Sequence, residues 1–219
     1  MKRKAIIQCI LGITLSVLFL LFTWTLRWFD VQSIGPNGSF VTYARINQAV
    51  HTLFGVNMRL YTITDWAGIV PIFTALGFAF LGMGQWIERK DIRKVDSSIL
   101  VLGVFYCLVF GTYVFFETHV INYRPVLLDG RLEASYPSST TMLAMCVMPT
   151  AMMQFHCRIR KHTVRKLLKI SCTLFTAFMV TGRLICGVHW FTDILGGVLL
   201  STAIILLYCS VNNYIDQAP

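Results

Sequence analysis

Long apolar runs, parted by short polar segments, restrict this chain more than any other feature. They cover about 5–29, 63–87, 97–116, 137–155, 167–181 and 190–208. Most approach the ~20 residues that an α-helix needs to cross a bilayer. Backbone N–H and C=O groups in hydrocarbon have no water to bond, so such runs span as helices, which close their own hydrogen bonds. Of the residues, 56% are hydrophobic and 13% charged, against about 45–50% and 25% in soluble domains. The expected fold is all-α: one integral membrane domain over 1–219, a bundle of six transmembrane helices. Between the first two runs, Val41, Ile46, Val50 and Phe54 recur near helical spacing. That pattern predicts an interfacial amphipathic helix over about 40–54.

Charge gives the expected orientation. Of 19 Lys and Arg residues, three lie in 2–4, four in 89–94 and six in 158–169. These segments alternate with the apolar runs, so the positive-inside rule places them and both termini in the cytoplasm. The net charge of +9 is therefore a topology signal, and no nucleic-acid partner is needed to explain it. Basic residues before an apolar run also begin a signal peptide. Here the run is long enough to span and lacks a small-x-small cleavage site, so it reads as a retained first helix. The seven cysteines are scattered without CxxC or Cys/His metal spacing, as buried thiols would be. No cofactor or metal is expected.

Given that orientation, three polar motifs emerge on the extracytoplasmic side. The last is Arg183-x5-His189-x3-Asp193. A spacing of four puts His189 and Asp193 on one helical face, where a carboxylate can fix the tautomer of an imidazole. Arg183 adds a fork of donors suited to phosphate oxygens. Earlier come Glu117-x6-Arg124-Pro125 and Tyr136-Pro137-Ser138-Ser139-Thr140. The proline suits a first helical turn, and the helix N-terminus behind it suits an anion. Asp65 sits near the entrance of the second run, where it still reaches water, and Tyr123 and Tyr136 suit an interfacial aromatic belt.

Over about 117–197 the sequence resembles the type 2 phosphatidic acid phosphatase superfamily, which includes undecaprenyl-pyrophosphate phosphatases and phosphatidylglycerophosphatases of the B type. The family pattern is Lys-x6-Arg-Pro, Pro-Ser-Gly-His and Ser-Arg-x5-His-x3-Asp. The resemblance implies a metal-independent lipid phosphatase in the cell membrane. In it His189 attacks phosphorus and forms a phosphohistidine, and Asp193 orients it. Arg124, Arg183, Ser138, Ser139, Thr140 and Gly182 fall on phosphate-binding positions.

Three positions depart from the pattern. Glu117 replaces lysine, Gly182 replaces serine, and Ser139-Thr140 replaces Gly-His. The family histidine at position 140 protonates the leaving oxygen, a role worth roughly 10²–10⁴-fold that threonine does not fill. Three readings follow. The leaving group departs unaided, as a phosphate leaving an isoprenoid pyrophosphate such as undecaprenyl pyrophosphate does. A substitute acid acts, with His119 the candidate and Glu117 behind it. Or hydrolysis is lost and the scaffold binds or translocates a lipid phosphate. A lipid phosphotransferase, passing the phosphoryl group to another lipid, is a further alternative.

Overall fold

A computed structural model of the chain describes residues 2–215. Eight α-helices carry it: α1 (Lys2–Thr25), α2 (Ala44–Phe54), α3 (Met58–Ala67), α4 (Ile69–Arg89), α5 (Ser97–Thr118), α6 (Ser139–Arg158), α7 (His162–Ile185) and α8 (Phe191–Ile215). Five stretches are long and apolar enough to cross a membrane: Lys2–Thr25, Met58–Arg89, Ser97–Thr118, His162–Ile185 and Phe191–Ile215. The protein is a multi-pass membrane protein, and Ile10, Leu20, Phe73, Phe80, Val104, Phe110 and Leu174 all face outward.

The fourth predicted run departs from the expectation. Its helix, α6, is not among those five, because its serine, threonines, glutamine and histidine make it less apolar, and many of its residues lie inside the bundle. Thr141, Thr150 and Gln154 are buried there. Thr150 Oγ1 donates to the Cys146 carbonyl at 2.8 Å, and Gln154 Nε2 donates to the Tyr208 hydroxyl at 3.2 Å. A helix screened from lipid by its neighbours can hold paired polar groups that a lipid-facing one cannot. The second run also differs. It is broken at Gly68 into α3 and α4, three residues before Pro71, which has no N–H for the Ala67 carbonyl. The second basic loop shrinks to 159–161 because α7 takes in His162 to Lys169. Helix α2 occupies the predicted segment, but its buried positions are Ala44 and the polar Asn47.

The centre of the bundle is α8, gripped by α1 along its length. Gly12 makes that approach close: a β-carbon there would lie 2.8 Å from Leu207 Cδ2 and 3.2 Å from the Ala203 carbonyl. Farther along, Ser210 Oγ donates to the Ala5 carbonyl at 2.8 Å. Phe19, Leu26, Leu102, Phe105, Met142, Cys146, Leu200 and Ile204 form the buried core between α1, α5, α6 and α8. At one end of the bundle, Asp96 ties α4, α5 and α6 together. It accepts from Arg158 at 2.9 Å, Gln85 at 2.9 Å and Arg89 at 3.0 Å. These bonds, Arg158's foremost, hold its carboxyl down at about 2. The three polar motifs gather at the opposite end, where α5 and α7 finish and α6 and α8 begin.

Candidate active site

Two turns build the site. Between α5 and α6 the chain doubles back, with antiparallel bridges pairing Tyr123 with Ala134 and Leu128 with Arg131. Asp129 and Gly130, at φ 49° and 73°, make the left-handed pair that a two-residue reversal requires. Bonds from Arg124 N–H to the Glu133 carbonyl (3.1 Å) and Ser135 N–H to the Asn122 carbonyl (2.9 Å) fix the register. The second turn joins α7 to α8. Gly187 has φ 68°, and a β-carbon would fall inside the Gly55 carbonyl, so only glycine fits. Asp193 Oδ2 accepts the Trp190 N–H at 2.9 Å, and Asn47 Oδ1 accepts the Thr192 N–H at 3.1 Å. Both satisfy donors that the start of α8 leaves open.

The two turns bring His189 between Arg124 and Ser135. Arg124 Nη1 lies 3.0 Å from His189 Nε2, and Ser135 Oγ lies 3.0 Å from Nδ1. A guanidinium only donates, so Nε2 must accept and the imidazole proton sits on Nδ1. Nδ1–H then donates to Ser135 Oγ, whose hydroxyl donates in a short bond to Asp193 Oδ2. The expected direct bond between His189 and Asp193 is absent. Nδ1 and Oδ2 stand 3.9 Å apart, beyond hydrogen-bond length, because the serine hydroxyl is inserted between them. Burial, then Arg124 and Arg183, hold the His189 imidazole well below its usual range, with Ser135 opposing. A neutral ring with an unprotonated Nε2 is the form a nucleophile needs.

The arginines are held separately. Arg124 Nε is 3.2 Å from Glu133 Oε2. Arg183 is 1% exposed and docks on α3. Its Nη1 donates to Thr64 Oγ1 at 3.4 Å and pairs with Asp65 Oδ1 at 3.5 Å, and its guanidinium lies 4.9 Å over the Tyr61 ring. Its Nε has no hydrogen-bond partner. Such a buried donor favours an anion.

The remaining expected residues divide. Ser139 and Glu117 line a narrow cleft with Arg124, Ser135 and His189. Ser138 is buried and caps α6, its hydroxyl accepting the Thr141 N–H at 3.4 Å while its own N–H donates to the Asp193 carbonyl at 3.1 Å. Its hydroxyl and amide thus already have work within the protein. Gly182 lies against α3, where a β-carbon would stand 2.7 Å from Thr64 Cγ2. The threonine fills the space of a serine there and gives Arg183 a hydroxyl in its stead. Thr140 faces the end of α3, 3.6 Å from where a Gly68 β-carbon would be. His119 is exposed, stacks on Phe115 at 4.5 Å and does not line the cleft. Tyr136 does not face outward as a belt residue would: it is 2% exposed and its hydroxyl is 2.7 Å from Thr23 Oγ1.

Sequence reasoning missed Ser135, Glu133, Thr64 and Tyr61 as parts of the site. Only the Asp-Gly turn hinted that 122–135 folds back on itself. Among the described residues no three His, Cys, Asp or Glu side chains gather as a metal site would require.

The PAP2 superfamily model matches residues 100–216, more than half of the chain. Among solved structures, the chain is similar to the first transmembrane PAP2 type phosphatidylglycerolphosphate phosphatase from Bacillus subtilis. The identity is 19% and the TM-score 0.58, over 94% of this chain and 97% of that one. No curated protein matches it in sequence at a significant level.

Proposed function

This chain belongs to the PAP2 superfamily, and from that premise we propose that it is a metal-independent membrane lipid phosphatase working through a phosphohistidine on His189. The hydrogen-bond chain Arg124–His189–Ser135–Asp193 carries this reading. It leaves Nε2 unprotonated and backs Nδ1 with a carboxylate. In this reading Arg124 turns from Nε2 to the phosphoryl oxygens as substrate enters, and Arg183 meets them through its unpartnered Nε. Nε2 then bonds to phosphorus and the P–O bond to the lipid breaks. Positive charge developing on the ring is balanced through Ser135 by Asp193. Fixed cations stabilise charge spread over the equatorial oxygens, the main catalytic need of phosphoryl transfer. Water then attacks the phosphohistidine and releases phosphate.

The proposal extends to placement. Six helices span, with α6 enclosed by the others, and α2 rests at the interface. The basic segments face the cytoplasm and the site faces outward. The preferred substrate is an isoprenoid pyrophosphate such as undecaprenyl pyrophosphate, whose phosphate leaving group asks least of Thr140. A second reading, a scaffold that binds or translocates a lipid phosphate without cleaving it, is favoured only by that threonine. Phosphate release by the purified protein from an isoprenoid pyrophosphate and from phosphatidic acid separates them. Release from either, abolished in His189→Ala, supports the phosphatase. Equal background from wild type and variant would remove it.

A further inference from the structure

Departure of an alkoxide requires a proton, and general acids contribute roughly 10²–10⁴-fold where they supply one. Besides Asp193, which backs the nucleophile through Ser135, three carboxylates stand at this site. Glu133 pairs with Arg124, the guanidinium already bonded to the nucleophilic nitrogen. Glu117 lines the cleft beside the nucleophile. Asp65 differs from both. It pairs with Arg183, whose guanidinium contacts Thr64 and Tyr61, also on α3, and not His189. In-line displacement places the leaving oxygen on the side of phosphorus away from the attacking nitrogen. The candidate for that side is a carboxylate held by the arginine that does not touch the nucleophile. Asp65 is also reachable by water, with its side chain 55% exposed, and the helix turn it belongs to ends at Gly68, against Thr140.

We propose that Asp65 is the catalytic acid, and afterwards the base, for cleavage of lipid phosphate monoesters at this site, which widens its substrates beyond pyrophosphates. The proposal rests on His189 acting as the nucleophile. A phosphate monoester carries a second pKa near 6 and enters partly as the monoanion. Its oxygens displace the Asp65 carboxylate from Arg183, and the phosphate proton passes to Asp65 as the P–O bond to the lipid lengthens. Nε2 forms its bond to phosphorus as the P–O bond to the lipid breaks. The bonding pair leaves on the alkoxide oxygen, which takes the proton from Asp65 and departs as alcohol. Water next attacks the phosphohistidine, gives its proton to Asp65, and the P–N bond breaks. Asp65 returns that proton to the phosphate, which leaves as its monoanion, and the carboxylate pairs with Arg183 again. Tyr61, Arg124, Glu133, Cys186 and His189 are the other ionisable groups around this pair.

The test is the dependence on leaving group. Wild type, Asp65→Asn and Asp65→Glu, purified in lipid nanodiscs, are assayed for released phosphate on phosphatidic acid and on farnesyl pyrophosphate. Wild type is expected to cleave both. In Asp65→Asn, kcat on phosphatidic acid falls roughly 10²–10⁴-fold without a rise in KM, kcat on farnesyl pyrophosphate falls less than about tenfold, and Asp65→Glu recovers part of the loss. A purely structural hold on Arg183 would instead raise KM on both substrates alike, and that result overturns the proposal. So does an unchanged Asp65→Asn, or a wild type that cleaves only the pyrophosphate, which leaves the nucleophile standing. A wild type inactive on both removes the nucleophile and the acid together.

Discussion

Replacing Ser135 by alanine tests the hydrogen-bond chain at its one unforeseen link. His189 and Asp193 side chains are 1% and 0% exposed, so no water restores what the hydroxyl supplies. Without it, Nδ1–H faces a carboxylate 3.9 Å away, and Asp193 Oδ2 is held where it is by the Trp190 N–H. A buried donor left unsatisfied costs about 1–3 kcal/mol. The upper part of that range applies here, because the ring gains positive charge as phosphorus bonds to Nε2. A loss of about 2–3 kcal/mol in the transition state lowers kcat roughly 30–150-fold, with KM little changed because the arginines are untouched. The assay is phosphate release by purified Ser135→Ala, Asp193→Asn and the double variant. If serine acts through the aspartate, the double variant loses no more than Asp193→Asn alone. A Ser135→Ala enzyme within about threefold of wild type, or losses that multiply, would refute the relay.

Gly182→Ser restores the residue type that the resemblance leads one to expect, yet it should destabilise by about 1–3 kcal/mol, since its β-carbon would lie 2.7 Å from Thr64 Cγ2. Adding Thr64→Ala should recover most of that in thermal unfolding. The imidazole of His189 is held well below its ordinary range, so below about pH 6.5 the unfolded chain takes up a proton that the folded one refuses. Wild type should therefore lose stability relative to His189→Gln as pH falls through that region, and parallel melting curves would contradict the buried neutral ring. Asp96 runs the other way. Its carboxyl, held at about 2, stabilises the fold above about pH 3.8 and stops doing so as pH falls towards 2. With its side chain 33% exposed, Asp96→Asn should cost about 1–2 kcal/mol at pH 7, and almost nothing near pH 2.

The sequence shows best what is local or repeats along the chain. Apolar run lengths located most of the helices. The four-residue step from His189 to Asp193 marked the pair, although His189 lies in the turn before α8 and not on its face. Alternation of basic segments put the three polar motifs together at one end. What stayed hidden depends on contacts between distant segments. Ser135 is an ordinary loop serine until the 122–135 reversal carries it to a histidine 54 residues on. Thr64 and Asp65 belong to an apolar run whose break at Gly68 turns one face of α3 onto Arg183, more than a hundred positions later. Tyr136 looked like a belt aromatic because its neighbours are polar. Its ring instead fills the space over Gly196, where any β-carbon would collide with it. The 137–155 run reads as a span like the others, because run length does not reveal that α6 carries buried polar groups paired inside the bundle.

The stretch that the family model recognises begins at residue 100, but the machinery does not. Thr23 steadies the tyrosine under the loop that carries Ser135, Asn47 clasps the helix start that carries Asp193, and Thr64 with Asp65 seats Arg183. Each of the three leading segments thus reaches across to a different part of the reaction centre. A fragment trimmed to the recognisable half would retain His189, the proposed nucleophile, and lose the contacts that these segments make with the site. Swapping that half between relatives would work only if the leading segments travelled along.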